Sequence, residues 1–252
     1  MREIVDALAQ QHAELAGLLD GLDEAGWRQA SPCDGWDVAA VVLHLAQSDE
    51  IALASVQGRF SEFVEALGAS DAAPGSTVDE GVERLVAGER ASSPAEIHDR
   101  WSRGASAMRA ELLHSDPHTR VRWVVGDMAA RTLATTRLAE TWIHTRDVAV
   151  ALEVDLEPTD RIWHIARLAW RTLPHAFARD DRAPPGPVAF RLAGPDGAPW
   201  DFSPDGDVPT EITGDALELC LVAARRVPSD ATSLRGDGPD ADTVLELVRT
   251  WA

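Results

Sequence analysis

Apolar residues recur every three or four positions from the amino terminus to about Leu173, and the period shortens to two only beyond Pro187. Between residues 2 and 25, Ile4, Leu8, Leu15, Leu18, Leu19 and Leu22 fall on one helical face, and Gly26 reads as its stop. The loop Ser31-Pro32-Cys33-Asp34-Gly35-Trp36 then delivers Asp37, a good N-cap, to a second helix running through His44 to about Phe63. Gly68 to Val78, rich in Ala, Pro, Gly and Ser, reads as a loop. A third helix opens at Ser93-Pro94-Ala95-Glu96, where a capping serine, a proline at the first helical position and a glutamate three residues after the cap coincide. Trp101, Met108 and Leu112 mark its buried side. A fourth helix spans about Asp127 to Leu152, and Thr159 caps a fifth that carries Ile162, Ile165, Leu168 and Leu173.

After Arg179 the pattern changes. Asp180 to Pro187 is a linker by composition, and Val188-Ala189-Phe190-Arg191-Leu192 alternates as a strand. Gly194-Pro195-Asp196-Gly197 is a turn from which Trp200 to Phe202 returns antiparallel. Glu211-Ile212-Thr213 and Ser233-Leu234-Arg235 are further short strands, with helices at about 215 to 226 and 239 to 251. The expectation is a mainly α protein in two parts, a helical bundle over residues 1–180 and a small α+β domain over 187–252.

Charge narrows the partners. The 252 residues carry a formal charge of -19, which opposes binding to nucleic acid and to anionic membrane surfaces and leaves a small molecule or a protein as partner. Oligomeric state is open. Cys33 and Cys220 are far apart, without CxxC spacing, and argue against a structural disulfide. The charged amino terminus and the lack of an uninterrupted apolar run of about 18 residues lead to a cytoplasmic protein as the expectation.

Candidate chemistry lies in Leu138-Ala139-Glu140-Thr141-Trp142-Ile143-His144-Thr145-Arg146-Asp147. Glu140 and His144, four apart, share one helical face and can hold a single cation, while His44 in the apolar run Val41-Val42-Leu43-His44-Leu45 can reach it from another helix. Two imidazoles and a carboxylate leave a divalent metal with an open position, which is the arrangement of a reactive site. Periodicity alone equally allows Leu138, Trp142, Thr145, Ala149 and Leu152 to be the core stripe, with Arg137, Glu140, His144 and Asp147 on the solvated side. Cys33 reads as a loop-packing residue rather than a fourth ligand. His98, His114, His118, His164 and His175 form no ligand set by spacing.

Pro32-Cys33-Asp34-Gly35-Trp36-Asp37-Val38 followed by His44-Leu45 resembles the signature of the mycothiol-dependent maleylpyruvate isomerase family, part of the DinB-like four-helix metal-binding superfamily. Glu140 and His144 followed by Arg146-Asp147 are similar to its second signature, and Ile212 to Leu219, running on to Arg225-Arg226, is similar to its small, sterol-carrier-like carboxy-terminal domain. The resemblance implies Zn2+, or another divalent metal, on His44, Glu140 and His144. It also implies mycothiol as a thiol cofactor that adds to a cis double bond, permits rotation and leaves again. Arg225 or Arg226 would hold the acidic substrate. The expected activity is a metal- and thiol-dependent isomerase or S-transferase. Its rivals are a non-catalytic metal- or ligand-binding protein and a metal-dependent hydrolase that recruits Asp147 or His12.

Overall fold

The computed structural model describes residues 1–67 and 77–250. Most of the expected loop from Gly68 to Val78, and the last residue of the helix expected to reach 251, lie outside the described residues. Contacts divide the chain into two compact units, Met1–Leu156 and Glu157–Ala252. The sequence pattern carried the bundle to residue 180. The division falls earlier because helix α8 (Ile162–Arg171) packs against α10 (Ala216–Ala223) and the strand Pro199–Phe202, which ties the fifth predicted helix to the small domain.

Four long helices build the first unit: α1 (Arg2–Leu19), α3 (Val38–Val56), α6 (Pro94–His114) and α7 (Ala130–Ala151). Their main packing partners are α3 with α6, α1 with α7, and α3 with α7. Asp37 caps α3 as its side chain accepts the Ala40 N–H at 2.8 Å, and Ser93 and Glu96 close the capping box of α6. Glycines shorten two predicted helices. Gly21, at φ 73°, follows α1 and separates it from the one-turn α2 (Glu24–Trp27), and Gly58, also at φ 73°, divides α3 from α4 (Phe60–Ala66). The predicted cap at Thr159 moves to Arg161. One helix, α5 (Val78–Glu89), was not expected, although Thr77 and Glu80 form a capping box readable in the sequence. The strands β1 (Arg120–Val121) and β2 (Met128–Ala129) make a two-stranded ribbon before α7.

Val38–Val56 is the one helix among the described residues long and apolar enough to cross a membrane, and 83% of that window is buried inside the structure. Its apolar run is explained by burial among α1, α5, α6 and α7. Leu15, Leu43, Leu45, Ile97, Trp101 and Val148 are among the residues that meet around it.

The second unit carries a four-stranded sheet of order β4-β3-β5-β6, with β3 (Val188–Ala193), β4 (Pro199–Phe202), β5 (Thr210–Asp215) and β6 (Arg235–Asp237). β3 pairs antiparallel with β4 and parallel with β5, so Phe190 lies between Phe202 and Ile212, all three buried. α8, α9 (Leu173–Arg179), α10 and α11 (Ala241–Leu247) complete it. Gly238 follows β6 at φ 103°, and a Cβ there would stand 2.0 Å from the Pro209 carbonyl oxygen. Gly238→Ala should therefore destabilise the protein by about 1–3 kcal/mol or more, through left-handed strain plus a backbone clash. Chemical denaturation reads this directly, and an unchanged midpoint would refute it.

Candidate metal centre

The solvated-face reading of the fourth predicted helix does not survive. Arg137, Glu140, His144 and Asp147 are 1%, 7%, 7% and 2% exposed. α7 packs on α1 and α3 as well as on α6, so its polar stripe faces other helices rather than water. The Glu140-His144-Asp147 stripe follows helical spacing, four residues and then three.

His44 comes from the second turn of α3, where Val41, Val42, Leu43 and Leu45 are all almost fully buried and fix the helix in place. Its Nε2 stands 2.7 Å from Glu140 Oε1, and His144 Nε2 stands 3.5 Å from the same oxygen. The two imidazole centroids are 4.9 Å apart at an interplanar angle of 75°. Trp36, from the loop before α3, leans on His44 with centroids 5.3 Å apart. The loop and two helices thus bring the three predicted ligands together, with their donor atoms within 4.8 Å of one another.

Protonation follows from this crowding. Burial opposes charge on Glu140, yet hydrogen bonds to His144 and His44 outweigh it and hold the carboxyl well below its ordinary pKa. Burial also opposes charge on His144, but Asp147, Cys33 and Glu140 together push its pKa well above the usual value. His44 is lowered, because burial there exceeds the pull of Glu140. The surroundings thus favour charge on Glu140 and His144 and disfavour it on His44. The donor set suits a divalent metal, since it combines one anion with two nitrogen donors in a buried position.

Cys33 does more than pack in its loop. Its Sγ donates to Asp147 Oδ2 at 3.2 Å, and His144 Nδ1 meets the same oxygen at 2.9 Å. Cys33, His144 and Asp147 form the other group of potential ligands among the described residues, and none of His98, His114, His118, His164 and His175 belongs to either group. Sequence reasoning also missed a buried polar network. Arg137 donates from Nε to Asp49 Oδ1 at 3.0 Å and from Nη2 to Ser48 Oγ at 2.9 Å, while His12 Nε2 is 3.7 Å from Asp49 Oδ2 and its Nδ1 meets Arg109. Burial, then Arg109 and Arg137, hold the His12 pKa well down, so it serves this network as a neutral ring. The readable signal was Asp49 among the apolar positions of α3, four residues before Leu53 and four after Leu45.

Arg225 and Arg226 lie just after α10 in the second unit. Arg225 adopts φ 60° and donates to the carbonyl oxygens of Glu246 and Leu247, and Arg226 donates to that of Ala224. Both line a cavity of about 530 Å³ together with Val222, Pro228 and Asp230.

Fold and site together define a helical-bundle protein with a buried carboxylate-bis-histidine centre and a small α+β domain. The chain belongs to the family described as mycothiol maleylpyruvate isomerase N-terminal domain, whose pattern it matches over residues 8–149. It is 32% identical to proteins of two Mycobacterium tuberculosis strains, CDC 1551 and H37Rv, both described as uncharacterized, over 97% of this chain and 93% of theirs. Crystal structures of the mycothiol-dependent maleylpyruvate isomerase and of a histidine-to-alanine mutant of it share the fold. The TM-scores are 0.62 and 0.61 at 18% and 17% identity, and each match covers 95% of both chains.

Proposed function

We propose that this protein is a metal- and low-molecular-weight-thiol-dependent isomerase or S-transferase of the cytosol, with mycothiol as the thiol and a small electrophilic acid as substrate. The observation that carries it is the convergence of His44 Nε2 and His144 Nε2 on Glu140 Oε1 in a buried position, which suits Zn2+ or a similar cation. Such a cation, when bound, supplies a Lewis acid that keeps a ligated thiol deprotonated near neutral pH.

The chain's own groups set the conditions for that chemistry. Glu140 would supply the negative charge that offsets the cation, and His44 and His144 would supply its two nitrogen donors. Trp36, which leans on His44, also lines a cavity of about 540 Å³ with Arg28, Asp37, Leu43 and Arg90, and this space is of a size to anchor the body of a thiol cofactor. In the small domain, Arg225 or Arg226 holds the substrate carboxylate, for which the planar guanidinium is suited. A thiol cofactor in the cavity beside Trp36 would supply a nucleophile able to add reversibly to a conjugated double bond, and the chain's own part would be to anchor that thiol near His44, Glu140 and His144.

The test is thiol dependence. Addition of mycothiol or a simple thiol to the cobalt-substituted protein should shift its visible absorption, and turnover of electrophilic acids should require metal and thiol together. Turnover without any thiol would replace this reading with a hydrolase. An unchanged spectrum with every thiol would leave a metal-binding module.

A further inference from the structure

We propose that Asp147 is a positioning residue for the metal centre, its Oδ2 orienting His144 so that Nε2 faces Glu140. The inference rests on the reading of His44, Glu140 and His144 as metal ligands and extends it to a residue outside that set.

Both ring nitrogens of His144 are spoken for, on opposite sides. Nε2 is 3.5 Å from Glu140 Oε1, and Nδ1 is 2.9 Å from Asp147 Oδ2. This follows from the register of α7: Glu140 stands one turn before His144 and Asp147 one turn after it, on the same stripe. The imidazole is therefore flanked by two carboxylates of different function. An N–H held by Asp147 fixes the tautomer that leaves the Nε2 lone pair for a cation, and the adjacent negative charge makes that lone pair a better donor.

Two further observations support a built outer shell. Asp147 is only 2% exposed, and burying a carboxylate is costly unless its oxygens are satisfied. The second donor to the same Oδ2 is the Cys33 thiol at 3.2 Å, which brings the loop before α3 onto α7. His44 is supported differently, by the Trp36 ring.

Metal affinity and the cobalt spectrum of full-length Asp147→Asn, Asp147→Glu, Cys33→Ala and wild type test the proposal. Wild type should bind one equivalent of metal. Asp147→Asn should fold but bind metal about 10- to 100-fold more weakly, the usual loss when an outer partner of a ligating histidine is removed, with an altered cobalt absorption. Asp147→Glu, which keeps the charge, should recover part of the affinity, and Cys33→Ala should stay close to wild type. Asp147→Asn that loses thermal stability while keeping wild-type affinity and spectrum would reduce Asp147 to a structural group and overturn the proposal. Loss of metal in Cys33→Ala would overturn it too, by placing the cation on Cys33, His144 Nδ1 and Asp147. A wild-type protein that binds no metal would instead remove the reading beneath it.

Discussion

His44→Ala and His144→Ala should each abolish stoichiometric zinc retention, with affinity falling by at least about 100-fold, because even loss of an outer-shell partner costs about 10- to 100-fold. Each substitution removes one of the two nitrogen donors that stand 2.7 Å and 3.5 Å from Glu140 Oε1. Glu140 and the remaining histidine then offer only two donors to a cation that prefers three or four protein donors. The fold should persist, since Val41, Val42, Leu43 and Leu45 beside His44 stay packed in the apolar core. Circular dichroism with metal analysis on the dialysed variants checks both halves. A full equivalent of zinc in both folded variants would sink the assignment.

Arg137→Met should lower stability by about 3–5 kcal/mol, the usual result of stranding one partner of a buried ion pair. Asp49 is fully buried, with Oδ1 held by Arg137, and its Oδ2 has no hydrogen-bond partner. Burial already pushes the Asp49 pKa up against the opposing pull of Arg137. Without the guanidinium it rises further above the unfolded value. A carboxyl raised on folding weakens the native state as pH climbs through its folded pKa, so the loss should be small in acid, where Asp49 is neutral in both states, and full above that folded pKa. The double variant Arg137→Met/Asp49→Leu should recover most of the stability, because matched apolar replacement of a buried pair is often neutral. Urea denaturation of the three proteins at two pH values measures this. A single variant within about 1 kcal/mol of wild type at neutral pH would show that the pair contributes nothing.

Much of the chemistry was legible from local spacing. The i,i+4 placement of Glu140 and His144 needs only the pitch of a helix, and the caps at Asp37 and Ser93 need only the residues beside them. The switch from a period near four to a period of two separated the helical bundle from the sheet-bearing unit, because side-chain direction alternates in strands and spirals in helices. The family signatures placed His44 with the pair on α7, although 96 residues separate it from Glu140.

Other features were decided by packing between elements. Periodicity on α7 allowed its polar stripe to face water, and only its burial against α1, α3 and α6 settled that it faces inward. The Arg137-Asp49-His12 network joins three helices, and the contact of Cys33 with Asp147 spans 114 residues, so neither has a repeat that a linear pattern registers. Helix ends moved for a related reason: Gly21 and Gly58 stop their helices at φ 73°, where the apolar spacing alone would have continued them. Local order along the chain decides which residues can be helical, which can cap and which offer metal-ligating atoms at a shared spacing, since these depend on neighbours within a turn or two. Which polar groups lie inside and which atoms converge follows from packing between helices, because burial and convergence depend on elements that meet once the chain has folded.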